Sequence, residues 1–381
     1  MLAHFFPFKK YLIAALLLFI SFSSFSQSII LSQNTHISIL TCGTGNEVYS
    51  LFGHTAIRIQ DTVNNVDLVY NYGAFDFNTP NFVMKFTKGD LQYFAVINSY
   101  PDFINQYQYE KRTVYEQELN ISLELKQKLF DQLNTSLASG ESYYTYKFID
   151  KNCTSMVVDI LNKTLGGNIV VKKEDTDLSY RSILYPYFDG HFYEKLGTSI
   201  IFGTKVDQKG TQIFLPLELK KSLEKIVFNK IPLAKKSETV LEFTSETLFS
   251  WWNNVYMYIL LLLAIIIINK KSTTVFYFTI MGIIGLFFTL VGFYSQHLEL
   301  GYNYNILLFN PTLLAILFLY WKKNKQGLYI LALLNLLCLV VYLSGVINKA
   351  HLLIVLPLII TNAILLIRIL IENRTKTPVI I

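Results

Sequence analysis

Cysteine is scarce in this chain: Cys42, Cys153 and Cys338 are the only three in 381 residues, and no two form a CxxC pair. That excludes a disulfide framework and a dithiol redox motif. A single Cys42–Cys153 disulfide stays open for an oxidising compartment, and Cys338 sits in an apolar run where a thiol behaves as a small hydrophobe. Histidine is also sparse, at His4, His36, His54, His191, His297 and His351. None lies in HExxH or in a His/Cys grouping at ligand spacing, so neither a metal nor a cofactor is expected. GxSxG and Walker-type loops are missing as well. The net charge of +6 does not imply a nucleic-acid partner, because no basic stripe with interleaved aromatics exists. Instead the cations cluster beside apolar runs: Lys9, Lys10, Lys270, Lys271, Lys322, Lys323, Lys325, Arg368, Arg374 and Lys376. Cytoplasmic loops of membrane proteins look like this.

What is present falls into two unlike halves. Residues 1–26 read as an export signal, with Lys9-Lys10, an apolar core from Tyr11 to Phe22, and small residues at Ser24 and Ser26. An uncleaved anchor is the alternative. Residues 27–245 are mixed in polarity and predict one exported α+β domain. Strands are expected at Thr35–Cys42, His54–Asp61, Val66–Tyr72 and Asp90–Ile97, with Gly73 marking a break. Helices are expected at Ser122–Ala138, at Cys153–Leu165 after a cap at Asp150 or Asn152, and at Leu217–Val227 after Phe214-Leu215-Pro216. Trp251-Trp252 suits an interfacial anchor. Residues 250–381 then predict an all-α bundle of about five transmembrane helices, at 254–268, 275–295, 304–320, 327–346 and 351–371. Lys270-Lys271, Lys322 to Lys325, and Arg374 to Lys376 fall on the cytoplasmic side of this arrangement. The outer loops 296–303 and 347–350 carry only Lys349 among lysines and arginines.

Two short segments carry chemistry. Gly53-His54-Thr55 places a histidine at the head of a strand, and Asn152-Cys153-Thr154-Ser155 places a thiol at the start of a helix. Unpaired N–H groups and the helix dipole lower a cysteine's pKa there. A histidine across a cleft can take the thiol proton, giving a thiolate–imidazolium pair. A third polar group should orient the ring. If strand 66–72 lies beside the histidine strand, Asn71 is the first choice, Tyr72 the second and Asp76 a weaker one. Singly, a strand histidine or a buried cysteine is more often structural; it is their joint order that points to a site.

That order, histidine strand before cysteine helix, is similar to circularly permuted papain-like domains of the NlpC/P60 type. More closely, the chain resembles the lipoprotein N-acyltransferase family Lnb of the Bacteroidota. The resemblance is carried by Tyr49-Ser50-Leu51-Phe52-Gly53-His54-Thr55-Ala56-Ile57-Arg58, Tyr70-Asn71-Tyr72-Gly73-Ala74-Phe75-Asp76-Phe77, Tyr144-Thr145-Tyr146-Lys147-Phe148, Asn152-Cys153-Thr154-Ser155 and Phe214-Leu215-Pro216. In the tail it is carried by His297, Asn303-Tyr304-Asn305-Ile306-Leu307-Leu308 and Asn310-Pro311. It implies a multi-pass protein of the bacterial inner membrane, with its catalytic domain in the periplasm. Cys153 would be the nucleophile and His54 its base. An acyl chain would pass from a phospholipid donor to the α-amine of a diacylglyceryl-cysteine lipoprotein. Asp159 stands where the family has an acid, but the basic residue before it is absent. Arg58, Arg112 and Arg181 are candidates for a lipid phosphate, and Tyr72, Asn152, His297, Asn303 and Asn305 for other substrate contacts, with Glu299 beside them at headgroup depth. Two alternatives remain: a membrane-anchored cysteine amidase or peptidase acting on cell-wall peptides, and a non-catalytic scaffold.

Overall fold

The computed structural model describes residues 29–244 and 250–374. The expected signal peptide at 1–26 lies outside the described residues. The strands that alternation predicts are β1 (Thr35–Cys42), β2 (His54–Asp61), β3 (Val66–Ala74) and β4 (Gln92–Ser99). With β5 (Val114–Glu118), β6 (Tyr144–Thr145) and β9 (Glu238–Leu241) they form one antiparallel sheet in the order β6-β4-β3-β2-β1-β5-β9. A small hairpin, β7 (Val227–Phe228) with β8 (Ile231–Pro232), stands apart. Gly73 does not end β3 as its sequence position suggests. The register instead slips between Tyr72 and Ala74, so the strand runs on past an irregularity.

Side-chain alternation sends residues to opposite faces of the sheet. Ile37, Ile39, Ile57, Ile59, Tyr70 and Tyr72 join one core, whereas Leu40, Cys42, Ala56 and Val69 join another. Two helices, α1 (Phe82–Lys88) and α2 (Tyr100–Tyr109), follow the third and fourth strands. Phe103 and Tyr107 of α2 close the second core. The first core is closed by α3 (Leu123–Ser139) and α4 (Cys153–Leu165), through Leu129, Phe130, Leu133, Val157 and Leu161. Ser122 caps α3 and Gly140 ends it in the left-handed conformation. Three short helices complete the domain: α5 (Tyr180–Leu184), α6 (Phe192–Ile201) and α7 (Pro216–Leu223).

The apolar half folds into α8 (Val255–Ile268), α9 (Lys271–Tyr294), α10 (Leu314–Trp321), α11 (Lys325–Val346) and α12 (Leu352–Asn373). The expected bundle of about five helices is present, but its members are unequal, and counting the bent pair below as one span gives up to four helices that are apolar and long enough to cross a membrane. Three of them, α9, α11 and α12, are long and apolar enough to cross a membrane. The expected third span, 304–320, is broken: turns covering Leu298–Leu307 meet Pro311–Trp321 at a bend of 46°. Asn303 and Asn310 each cap a new short turn, and Pro311 cannot continue a helix from the residue before it. Gly285 of α9 lets this break pack closely, since a Cβ there would fall 1.4 Å from the Phe309 carbonyl oxygen. The first span, α8, has 14 residues, or about 21 Å of rise. Asn254 caps it, Trp251 and Trp252 are exposed beside its start, and Tyr193 stacks on Trp252 at 5.6 Å.

Candidate active site

The site forms where the head of β2 meets the head of α4. Asn152 starts the helix: its Oδ1 accepts from the Thr154 and Ser155 N–H groups at 3.0 and 3.1 Å, and the Ser155 hydroxyl accepts from the Asn152 N–H. This is a reciprocal capping box. Its Nδ2 donates to the carbonyls of Phe148 and Phe214, which fixes the residue before Cys153 to two flanking loops. The Phe214-Leu215-Pro216 segment is held in turn by Glu218, which accepts from the Phe214 and Leu215 N–H groups and pairs with Lys172. Cys153 is therefore the first residue of a rigidly started helix, where unsatisfied N–H groups favour negative charge.

His54 heads β2. Ala56 lies opposite Asn71 in the neighbouring strand, so His54 and Asn71 share a face as diagonal neighbours. The His54 Nε2 lies 2.5 Å from Asn71 Oδ1. With the amide oxygen accepting, Nε2 carries the ring proton and Nδ1 keeps its lone pair. The absence of a side chain at Gly73 permits the approach of ring and thiol. A Cβ there would sit 2.9 Å from His54 Cε1, 3.5 Å from its Nδ1 and 3.7 Å from Cys153 Cβ. The helix is stitched to the strand by Thr55 and Thr154, whose hydroxyls are 3.0 Å apart. The Thr154 hydroxyl is also 3.9 Å from the Cys153 sulfur.

Burial alone would push the Cys153 thiol up, but the charge and hydrogen bond of His54, the Thr55 backbone N–H and the Thr154 hydroxyl outweigh it, and the pKa falls below the ordinary thiol range. Cys42, directly opposite His54 in β1, goes the other way: burial pushes it up to about 12 against a hydrogen bond from Tyr107. Both thiols are free, so the disulfide left open by the sequence is not formed. The two thiols of one domain are thus shifted in opposite directions, and the neighbouring imidazole is the largest influence that favours the Cys153 thiolate.

The remaining candidates have other partners. Tyr72 is buried under α3 and bonds to Ser136, and Asp76 accepts from the Asn78 N–H in the turn after β3. Arg58 is bound by Asp67 and Glu116 and lies 3.3 Å from the Tyr100 ring centroid. Arg112 is engaged by Glu110 and the Gly43 carbonyl. Arg181 is engaged by Asp207, the Ser199 carbonyl and Tyr304. Asp159 is exposed at the surface of α4, and partial desolvation raises its pKa against the pull of Lys151. His297 meets the Phe86 carbonyl at 2.8 Å and Glu299 at 3.1 Å. Asn303 donates to the carbonyls of Ile200 and Ile201, and Asn305 to that of Phe202. These last three hold the bundle against the N-terminal domain. Sequence reading missed the Thr55–Thr154 link, although both threonines adjoin the two residues it singled out. No group of three or more His, Cys, Asp or Glu residues suited to a metal occurs among the described residues.

A family model described as the Lnb N-terminal periplasmic domain matches residues 21–185, and one described as the Lnb transmembrane domain matches 248–376. The chain matches no curated protein and no solved structure.

Proposed function

We propose, from the premise that the chain belongs to the Lnb family and is a membrane protein with a periplasmic domain, that it is a lipoprotein N-acyltransferase of the bacterial inner membrane working through a Cys153 thioester. The observation that supports this reading is a thiol at a capped helix start, sharing the space at Gly73 with a histidine whose far nitrogen is held by Asn71.

The chemistry runs in two displacements. His54 Nδ1 takes the Cys153 proton, and the thiolate attacks the ester carbonyl of a phospholipid. The carbon–oxygen bond to the glycerol breaks, and the His54 imidazolium gives its proton to the leaving lysophospholipid oxygen. The neutral α-amine of a diacylglyceryl-cysteine lipoprotein then attacks the thioester. An amide forms, the carbon–sulfur bond breaks, and the amine proton passes to His54 and from it to the departing Cys153 thiolate, restoring thiol and neutral imidazole. A thioester suits aminolysis because sulfur barely stabilises its carbonyl by resonance. Asn152 occupies the next two N–H groups of the helix, which leaves the Cys153 N–H to meet the oxyanion in both steps, a donor of a kind worth about 3–4 kcal/mol. Asn71 keeps the imidazole in the tautomer that can accept the proton. Phospholipid and lipoprotein are both held by their chains in the outer leaflet, which suits a domain mounted on a transmembrane bundle.

Mass spectrometry of lipoprotein N-termini tests this in cells that depend on this chain. Wild type should yield N-acylated termini and Cys153→Ser free α-amines. Unchanged N-acylation in the Cys153→Ser strain defeats the mechanism, and release of cell-wall peptides by the purified protein would point to a hydrolase instead.

A further inference from the structure

The segment between the site and the bundle is unlike the rest of the domain. Helix α1, with sequence FVMKFTK, has no buried residue and no acidic one. Val83 and Met84 are each 70% exposed, and Phe77 just before the helix is 69% exposed. Seven residues are too few to hold a helix on their own in water. The helix is held through its carbonyls against the end of α9, and by ring contacts of Phe82 and Phe86. Gln296 N–H donates to the Lys88 carbonyl at 2.8 Å, the Ser295 hydroxyl to the Thr87 carbonyl at 2.7 Å, and His297 Nε2 to the Phe86 carbonyl at 2.8 Å. The side-chain hydroxyls of Tyr294 and Thr87 also meet at 3.2 Å.

We infer that α1 and Phe77 form a foot that enters the outer leaflet, with Phe77, Val83 and Met84 among the acyl chains and Lys85 near the phosphates, Lys88 being paired with Asp90. The argument is one of depth. The bonds tie α1 to the last turn of a helix long and apolar enough to span the bilayer. The foot therefore sits at the level where that helix leaves the hydrocarbon, and an exposed apolar surface at that level faces lipid. In water the same side chains would keep the unfavourable hydration of their apolar surface. Phe293 and Leu298, 86% and 64% exposed, continue the apolar surface at the same end of the bundle.

The foot also adjoins the thiol. Phe75 packs against Phe77, Phe82 and Tyr93 at centroid distances of 4.7, 5.8 and 4.9 Å, and it lies two residues beyond Gly73, which borders both His54 and Cys153. A phospholipid gathered by α1 would then have an aromatic lane to Cys153. That consequence rests on the acyl-transfer reading; the leaflet contact does not.

The test places p-benzoylphenylalanine singly at Val83, Met84, Val63 or Ile283 of the full chain, in vesicles of phosphatidylethanolamine and phosphatidylglycerol. Ile283 lies within α9 and is 55% exposed, which makes it the lipid-facing control. Val63 is 62% exposed in the turn at the far end of β2 from His54 and is the water-facing control. Ultraviolet light should give phospholipid adducts at positions 83, 84 and 283 and none at 63. Adducts at 283 without any at 83 and 84, or a protein adduct in their place, overturn the foot. A Val83→Asp/Met84→Asp variant separates the consequence: acyl transfer from vesicles should fall while alkylation of Cys153 by iodoacetamide is kept. Adducts that persist in Cys153→Ser, whatever becomes of N-acylation there, leave the foot standing independently of the acyl-transfer reading.

Discussion

At Cys153 two influences oppose each other: burial resists the thiolate, while the His54 charge and hydrogen bond, with Thr55 and Thr154, favour it strongly enough to lower the pKa. Because the folded pKa is depressed, thiolate persists below the ordinary thiol range and is lost only when pH falls through the lowered value. Removing the imidazole should leave burial dominant. In His54→Ala the midpoint of iodoacetamide alkylation against pH should therefore move upward, past the ordinary thiol range, and the proposed acyl transfer should fall by about 10²–10⁴-fold. An unmoved midpoint would mean that His54 does not govern the thiol. Residue type, strand order and helix start singled out Cys153, His54 and Asn71 in the sequence; in the structure His54 and Cys153 border Gly73, and His54 bonds to Asn71. Arg58 was not legible in the same way. Its partners Asp67 and Glu116 lie on the two strands that flank β2 and β1, and cross-sheet pairing cannot be read from spacing along one strand.

Helix α4 shows how much one residue at an element's end can set. Asn152 supplies the cap for two N–H groups and donates to two loop carbonyls, and Gly166 closes the other end in the left-handed conformation. Asn152→Ala should lower stability by about 1–2 kcal/mol from the cap alone. It should also slow Cys153 alkylation at neutral pH, because the helix start that favours the thiolate loosens. Thermal unfolding of the detergent-solubilised chain reads the first effect and iodoacetamide kinetics the second; a stability loss with unchanged alkylation would confine Asn152 to a structural role. Both ends of α4 could be read from the sequence, since the cap and the stop are local. The 304–320 segment could not be read as it folds. Its composition is that of a span, but Asn303, Asn310 and Pro311 begin new turns, and Gly285 on another helix provides the space into which the break fits. Composition reports hydrophobicity along the chain and is blind to a gap across it. Helix α1 escaped for the related reason that it is too short for any periodicity to register.

At the scale of the whole molecule, the division into two unlike halves was plain in the sequence, but the clasp between them was not, because its members lie far apart along the chain. Asp207 stands at its centre. Arg181 Nε reaches it at 2.6 Å, Lys349 of the loop between α11 and α12 at 2.8 Å, and the Tyr304 hydroxyl at 2.6 Å. The Gly203 N–H meets the Glu299 carbonyl at 2.7 Å beside it. Burial would raise the Asp207 carboxyl, but the Arg181 charge and hydrogen bond, with those of Lys349 and Tyr304, hold it below the ordinary carboxylate range. A depressed acid contributes stability that is fully present above the unfolded pKa, near 3.9, and is lost as pH falls through the folded value. Asp207→Asn leaves Arg181 and Lys349 facing a neutral side chain, so at pH 7 it should cost about 3 kcal/mol. Wild type should approach the variant as acid protonates Asp207, and the stability gap should narrow below about pH 4. Thermal unfolding of both chains in detergent across pH 3–7 measures that gap; a gap that stays constant to the acid end would mean that the clasp does not depend on the Asp207 charge. Because α1 hangs from the same outer end of the bundle, a loosened clasp should also let the domain drift from the leaflet, and lipid adducts at Met84 should decline in Asp207→Asn at neutral pH.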